Sequence, residues 1–173
     1  MSLSERKLNR WSSHNYNLMG YYFVTLCVQN RLDFFGKIIR QKMILNQYGK
    51  IVNNFWQEIP NYYSNIAIDE FVIMPNHIHG LIRIFDANVG IGYCPIPTQD
   101  DESSDKPNYG LISKIVNGFK GQSTKIIRNK LNVINFVWQR SFHDRCLRNQ
   151  NELDHTRWYI KNNPQKWWRD HNN

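Results

Sequence analysis

Two apolar segments joined by a tight turn constrain the fold of this chain more than any other feature. Residues 65–74, NIAIDEFVIM, and residues 77–85, HIHGLIRIF, are rich in the β-branched and aromatic residues that favour strands. Only Pro75-Asn76 separates the two segments, and such a pair marks a turn. The sequence therefore predicts an antiparallel β-hairpin whose second strand begins with two histidines.

The remaining elements follow from the period at which apolar residues recur. A period of two predicts a strand, whereas recurrence every three or four residues predicts a helix. Glu152 follows Asn149 by three residues, which is a helix-start pattern, and Pro164 is expected to end that helix. In chain order, the patterns predict a strand at 21–29, a helix over roughly 42–58, the two hairpin strands, a helix at 111–130, a strand at 134–140 and a helix from about 149 to 164.

The order of these elements predicts the fold class. Strand, helix, strand, strand, helix and strand is the split βαβ pattern of ferredoxin-like α+β proteins, here with a further C-terminal helix. The first and third strands are then expected to be central in an antiparallel sheet. We predict a single domain over residues 1–173, with a polar arm at 1–17 and a mobile acidic loop at about 86–109.

Positive charge is concentrated in the last third of the chain. Residues 1–110 hold 10 basic and 10 acidic residues, whereas residues 111–173 hold 12 basic and 4 acidic residues, so the whole net charge of +8 lies there. A solvated basic surface explains this distribution, and so does a face that binds nucleic acid. The many aromatic residues either fill a core or stack on unpaired bases.

The sequence gives no indication of a membrane protein. No stretch of about 18 or more apolar residues occurs, so no spanning helix is expected. The first residues, MSLSERKLNRW, lack the apolar core of a secretory signal. Cys27, Cys94 and Cys146 are widely spaced and odd in number, so we expect no disulfide framework and a reducing cytoplasm.

His77 and His79 form the first candidate site. Residues two apart on a strand point to the same face with Cα atoms about 6.5 Å apart, so both rings can converge on one divalent ion, while Ile78 points into the core. Two hydrogen-bonded histidines on a half-exposed sheet explain the pattern as well, and a metal site needs a further ligand. His143 and Cys146 form an H-x-x-C pattern, which is poor evidence for structural zinc without a second ligand pair.

Tyr159 and Asn163 form the second candidate site, because residues four apart share one face of a helix. A core tyrosine beside a helix-terminal asparagine is one interpretation, and a nucleophile beside a metal ligand is the other. A phenol with a pKa of about 10 is a poor nucleophile at neutral pH unless a cation or a base assists. A metal held by two histidines and an amide oxygen would supply that cation.

Three sequence blocks together resemble a known family. They are MPNHIHGLI at 74–82, WQRSFHD at 138–144 and YIKNNP at 159–164. They resemble the single-tyrosine transposases of the His-hydrophobic-His (HUH) superfamily, in particular the REP-associated tyrosine transposases, which are related to the smallest bacterial insertion-sequence transposases. The resemblance covers roughly residues 18–168. It implies a ferredoxin-like sheet with the histidine pair on a central strand and a helix that brings the tyrosine to the metal.

The resemblance implies a role for each of these residues. His77, His79 and Asn163 would be ligands of Mg²⁺ or Mn²⁺, and Tyr159 would attack a phosphodiester of single-stranded DNA. A 5′-phosphotyrosine would form, and a second 3′-hydroxyl would then rejoin the strands, which is the chemistry of DNA transposition and recombination. The substrates would be imperfect palindromes folded as hairpins. The protein would act at the nucleoid in a bacterial cytoplasm, as a monomer or a homodimer.

Basic side chains are expected to hold the phosphates of the DNA. Some lie near Tyr159 and others on the second predicted helix, and the WQRSFHD block suggests that Arg140, His143 and Asp144 lie near the active site or the DNA. The candidate DNA-binding residues are Lys114, Lys120, Lys125, Arg128, Arg140, Arg157, Lys161 and Lys166.

Two other function classes remain open at this stage. One is a ferredoxin-like module that binds structured nucleic acid without chemistry, and charge and aromatic content fit it equally. The other is a small metal-dependent hydrolase whose histidines activate water, for which Tyr159→Phe would leave activity largely intact. A pure binding module has no need of two histidines, a tyrosine and an asparagine in these positions, so the sequence favours the strand-transferring enzyme.

Overall fold

The structure is a computed structural model that describes residues 19–85 and 110–172, with side chains described as far as residue 169. The predicted arm at 1–17 and the predicted acidic loop at 86–109 lie outside the described residues. Within the described residues, no helix is long and apolar enough to cross a membrane. The elements are β1 (Gly20–Cys27), a 3₁₀ turn (Gln29–Arg31), β2 (Gly36–Ile39), β3 (Lys42–Leu45), α1 (Gln47–Gln57), α2 (Ile59–Tyr62), β4 (Ile66–Ile73), β5 (His77–Ile84), α3 (Leu111–Leu131), β6 (His143–Leu147) and α4 (Gln150–Asn172).

Four of the strands form one antiparallel sheet in the order β4-β5-β1-β6. Strands β1 and β5, which correspond to the first and third predicted strands, are central as expected. In their register Thr25 lies opposite His79, and Cys27 lies opposite His77. The predicted ferredoxin-like α+β architecture, with a C-terminal helix that carries Tyr159, is therefore confirmed.

The two faces of the sheet differ in what covers them. On one face, alternate residues of β1 and β5 such as Val24, Ile78 and Ile82 pack with α1 and α3 in the main apolar core. The intervening residues, which include His77 and His79, point to the other face, where α4 lies. The prediction that Ile78 points into the core is confirmed, since its side chain is fully buried.

A short hairpin, β2–β3, occupies residues that the sequence assigned to a loop and to the start of a helix. Its turn residues Arg40 and Gln41 both have positive φ. Asn-Gly or Asp-Gly is the usual signal for such a turn, and the sequence lacks it here. The helix itself begins only at Gln47, where the Asn46 side chain accepts hydrogen bonds from the Tyr48 and Gly49 amides.

The predicted strand at 134–140 is wrong, because the fourth strand of the sheet is His143–Leu147. The residues predicted as a strand make only an isolated bridge, between Trp138 and Val28. Side chains of α3 bind other carbonyl groups in and just after this segment: Arg128 donates to the Phe136 carbonyl, and Lys120 donates to the carbonyls of Gln139 and Ser141.

The predicted end of the last helix at Pro164 is also wrong, because α4 continues to Asn172. Proline removes one helical hydrogen bond, and packing must compensate for it. Trp167, in the turn after Pro164, packs its ring against that of His77 at a centroid distance of 5.7 Å. The part of α4 beyond Pro164 also contacts the β2–β3 hairpin, so tertiary contacts hold the final turns in place.

One cysteine of the sheet is a free thiol. Cys27 on β1 is buried and unpaired. Burial raises the pKa of the Cys27 thiol, which keeps it protonated.

Close packing behind the histidine pair gives a test of the fold. Gly80 follows His79 in β5, and a Cβ at this position would overlap the buried Trp56 ring. We expect Gly80→Ala to lower the free energy of unfolding by about 1–3 kcal/mol, measured by urea denaturation. Gly121→Ala is the control, because nothing lies near its added Cβ on the exposed side of α3, and it should stabilise by about 0.4–1 kcal/mol. Equal effects of the two substitutions would contradict this packing.

Candidate active site

The two histidines of β5 lie side by side beneath α4. Both side chains are buried, and their Nε2 atoms are 3.1 Å apart. Two nitrogens bound to one divalent ion at about 2.1 Å and at right angles are separated by about 3.0 Å. The observed spacing therefore fits two ligands of one ion.

Asn76 fixes the tautomer of His77. The Asn76 amide nitrogen donates to the Arg31 carbonyl and to Asp33 Oδ1, which can only accept. Its oxygen therefore faces His77 Nδ1, 2.8 Å away, and this ring nitrogen must carry the proton. As a result, the Nε2 atom of neutral His77 presents a lone pair to the site, which is the state that metal binding requires.

His79 has a similar but less restricted arrangement. Its Nδ1 lies 2.8 Å from Thr25 Oγ1, a hydroxyl that can either donate or accept. When His79 Nδ1 donates to Thr25, both Nε2 atoms carry lone pairs, and His79 Nε2 can accept from the Tyr159 hydroxyl, which lies 3.3 Å away. When it accepts instead, His79 Nε2 donates to His77. The 3.1 Å separation of the two Nε2 atoms therefore suits one shared proton or one cation between them.

Both rings are neutral near pH 7. Burial disfavours the charged imidazolium and lowers the pKa of His77 to about 4, with a further contribution from the positive charge of Arg31. Burial likewise lowers the pKa of His79 to about 3, and His77 and Arg31 lower it further. Protons therefore do not compete with a metal for these nitrogens at neutral pH.

Tyr159 reaches the histidine pair from α4. Its hydroxyl lies 3.3 Å from His79 Nε2, within hydrogen-bond distance. The Phe23 ring on β1 holds both partners, because it stacks on His79 at 5.4 Å and meets the Tyr159 ring edge-on at 6.1 Å. The predicted histidine pair and the predicted tyrosine thus converge from distant parts of the chain.

Asn163 lies one helical turn after Tyr159 and is buried, on the same face of α4. Asn162 is less suited to a ligand role, because its amide donates to the Trp158 carbonyl within the helix. The described residues contain no group of three or more His, Cys, Asp or Glu side chains that could hold a metal. A third protein ligand from this region would therefore be a group such as the Asn163 amide, and that role stays a prediction.

Two ion pairs fasten α4 to β4 on either side of Tyr159. A β-bulge in β4 between Ile68 and Phe71 presents two consecutive carboxylates toward the helix. Arg157 forms a two-pronged pair with Asp69, with Nε 3.0 Å from Oδ1, and Lys161 Nζ lies 2.8 Å from Glu70 Oε1. Both cations were predicted to bind DNA, which stays a prediction, and their ion pairs position the helix that carries the tyrosine.

The other predicted DNA-binding residues fall into two groups. Lys120 is buried and Arg128 is half-buried, and both bind backbone carbonyls of the segment before β6. The remaining four are exposed, although α3, which carries two of them, packs on the face of the sheet opposite the histidines. The exposed residues are Lys114, Lys125, Arg140 and Lys166.

A cleft of about 390 Å³ opens beside Tyr159, between β6 and α4. His143 and Asp144 line it, together with Thr25 and Phe23. His143 lies opposite Thr25 and so shares the face of Tyr159, whereas Asp144 lies opposite Val24, whose side chain packs in the main core on the other face. Arg140 is exposed in the segment before this strand and does not belong to the lining.

Sequence reasoning missed four residues that shape the site. Asn76 and Thr25 orient the histidines, Phe23 holds the tyrosine ring, and Arg31 places its charge close enough to lower the pKa of both imidazoles. Asn76 had a local signal, because it directly precedes His77. The other three come from β1 and the turn after it, and only the strand pairing brings them to the site.

Comparisons with known proteins add independent evidence. No protein-family model matches the chain. An uncharacterized protein of Haemophilus influenzae is 35% identical over 168 residues, which cover 97% of this chain and 93% of that relative. This chain and the Haemophilus influenzae protein belong to one family.

Among solved structures, the chain is similar to a REP-associated tyrosine transposase bound to a REP hairpin. The TM-score is 0.55, with 17% sequence identity, over 91% of this chain and 74% of the transposase. The chain has the REP-associated tyrosine transposase fold. The resemblance read from the sequence blocks is therefore confirmed at the level of the fold, with the histidine pair on a central strand of this transposase fold and Tyr159 on its C-terminal helix.

The ion pairs at the bulge give a test of how α4 is held. Burial alone would raise the pKa of Asp69, but the hydrogen bonds and charge of Arg157 outweigh it and lower the pKa. A carboxylate with a lowered native pKa stabilises the fold above its unfolded pKa of about 3.9, and this contribution is lost as the pH falls through the native value. We expect Asp69→Asn to cost about 1 kcal/mol at pH 7, and the cost should vanish in acid.

Urea denaturation at several pH values measures this difference. Glu70→Gln is the matched comparison, because the Lys161–Glu70 pair is more exposed and should contribute less. A cost of Asp69→Asn that did not change between pH 7 and strong acid would contradict the assigned ion pair.

Proposed function

We propose that this protein is a DNA transposase that cleaves and rejoins single-stranded hairpin DNA, with Tyr159 as the nucleophile. The observation that carries the proposal is the position of the Tyr159 hydroxyl, 3.3 Å from an Nε2 atom of a neutral histidine pair. A phenol at this place lies next to the two nitrogens best able to hold a divalent ion. A module that only binds nucleic acid has no use for this convergence.

The proposed reaction exchanges one phosphodiester for another. The Tyr159 oxygen attacks the phosphorus, loses its proton and becomes bonded to the 5′-phosphate, while the bond from phosphorus to the 3′-oxygen breaks and that oxygen takes up a proton. The reverse step, with the 3′-hydroxyl of another strand as the nucleophile, releases the tyrosine and joins the strands. Bond number is conserved in both steps, so no nucleotide cofactor is required.

We propose that His77, His79 and Asn163 hold Mg²⁺ or Mn²⁺, which when bound supplies Lewis-acid stabilisation of charge on the phosphate. The chain's own residues orient the other components. Phe23 and the ion pairs of α4 fix the direction of the Tyr159 ring, and Asn76 keeps the His77 lone pair aimed into the site. Arg31 is exposed beside the pair and is suited to hold a phosphate oxygen.

Hairpin DNA is the proposed substrate. The solved transposase of the same fold is bound to a REP hairpin, and this chain carries a net charge of +8. Exposed cations bind phosphates without reading sequence, which suits the grip on a double-stranded stem. Lys114, Lys125, Arg140 and Lys166 remain the candidates for these contacts.

A covalent-trap assay tests the proposed nucleophile. Labelled single-stranded hairpin DNA from the flanks of the protein's own gene is incubated with the protein and Mn²⁺ or EDTA, and adducts that survive denaturation are counted. We expect a metal-dependent adduct that Tyr159→Phe abolishes and His77→Ala reduces to background. Tyr62→Phe is the control, because Tyr62 is an exposed tyrosine at the end of α2. Binding without an adduct in either ion would favour a non-catalytic nucleic-acid-binding protein.

The tautomer argument predicts a role for Asn76 in metal affinity. Without the Asn76 oxygen, His77 Nδ1 loses its acceptor and the ring is free to place its proton on Nε2. We expect Asn76→Ala to weaken Mn²⁺ affinity by about 10- to 100-fold, measured by isothermal titration calorimetry. Asn61→Ala, at an exposed asparagine of α2, should leave the affinity unchanged. Equal affinities of the two variants would refute this orientation of the histidine.

A further inference from the structure

A second cleft lies near His77, whose ring contacts that of Trp167 in the lining of the cleft. It lies between the β2–β3 hairpin and the last turns of α4, and its volume is about 540 Å³. Trp167 and Trp168 form one wall, while Ile38 and Ile39 of the hairpin lie among the residues of the other. Clefts of this size hold small flat organic groups, with apolar and aromatic walls and a few polar atoms.

We propose that this cleft binds an unpaired base of the DNA strand that Tyr159 cleaves. The inference rests on the proposed function. The bound base would belong to the unpaired part of the DNA, outside the hairpin stem. Indole rings stack on any nucleobase, because every base presents a π-face. Ile39 and Ile44 are 51% and 53% exposed, so apolar surface at the cleft is open to cover the second face of a base.

The lining of the cleft contains one polar group that suits a base and one that suits a phosphate. Asp33 lies in the lining, and its carboxylate accepts from the Asn76 amide. A carboxylate has about four acceptor positions, so Asp33 can also accept from the amino or imino groups of a base, but it repels a phosphate. Lys37 is exposed in the same lining and supplies a cation for the adjoining phosphate.

The cleft is joined directly to the candidate active site. The Trp167 ring lies 5.7 Å from the His77 ring, and Asp33, Asn76 and His77 form a continuous chain of hydrogen bonds. A base held here therefore belongs to a nucleotide close to the cleaved phosphodiester. Its binding would set which phosphate of the strand meets Tyr159, since stacking fixes the register of the strand.

The test measures binding separately from cleavage by using Tyr159→Phe as the parent protein. The probe is a labelled hairpin from the flanks of the protein's own gene, with unpaired extensions on both sides, in which an abasic residue replaces each unpaired nucleotide in turn. We expect one position, or two adjacent ones, at which base removal weakens binding by about 5- to 100-fold in fluorescence anisotropy.

The variants assign that sensitivity to the cleft. Adding Trp167→Ala to the parent should remove most of the penalty for the missing base, and Trp167→Phe should retain part of it because phenylalanine still stacks. Trp158→Ala is the matched control, because Trp158 is a 62% exposed tryptophan of α4 that does not line the cleft. It should keep the full penalty.

The outcomes separate this inference from the proposed function. If no unpaired position is sensitive, or if Trp167→Ala and Trp158→Ala retain the same penalty, the base-binding cleft is wrong even when the wild-type protein forms its covalent adduct. If the sensitivity follows Trp167 but no adduct forms, the cleft stands and the catalytic function fails. A parent protein that binds no flanked hairpin overturns both.

Discussion

Strand β5 is paired on both edges, and this fixes the site more firmly than any single contact. Its partners β1 and β4 hold the backbone, and the alternation of residues gives Ile78 and Ile82 to the apolar core on one face. A register slip of one residue would place both imidazoles in that core and the isoleucines under α4. The stability of the core therefore maintains the orientation of His77 and His79.

The apolar contacts of helix α4 attach it to the sheet, and its charged contacts fix its orientation. Leu153 and Ile160 pack against Leu81 and Leu147 of the sheet, which favours association but tolerates small shifts. The Arg157–Asp69 pair has directional geometry, so it sets the rotation and height of the helix. The β-bulge is needed for this arrangement, since consecutive residues of a regular strand point to opposite faces.

The convergence of the candidate site residues was predictable from the sequence, whereas the residues that support them were not. Short sequence patterns identify His77, His79 and Tyr159 whatever the exact bounds of the strands and helices are. The alternation around Ile78 correctly predicted which face of the sheet carries the histidines. The β2–β3 hairpin was missed because its turn uses Arg40 and Gln41 instead of the usual turn residues. The fourth strand was misplaced because the 134–140 segment has strand-like composition.

The composition of residues 134–140 predicted a strand for a physical reason. Its aromatic residues Phe136 and Trp138 are indeed buried, but they fill the core without joining the sheet along their length. Arg128 and Lys120 from α3 bind the carbonyls of Phe136 and Gln139, while the Val137 carbonyl accepts from the Gln29 amide. Long side chains can satisfy backbone acceptors as a neighbouring strand does. These side chains belong to another element, so the sequence pattern of residues 134–140 cannot predict their hydrogen bonds.

The same observation changes how the positive charge of the C-terminal third should be read. Of the cations named there as DNA contacts, four bind within the protein, as carbonyl donors or as partners of carboxylates on β4. The cation beside the histidine pair is Arg31, which belongs to the part of the chain with no net charge. Under the proposed function, net charge per segment would describe the long-range attraction of DNA, while contacts at the reacting phosphate would depend on the cations near Tyr159 that make no such internal bonds.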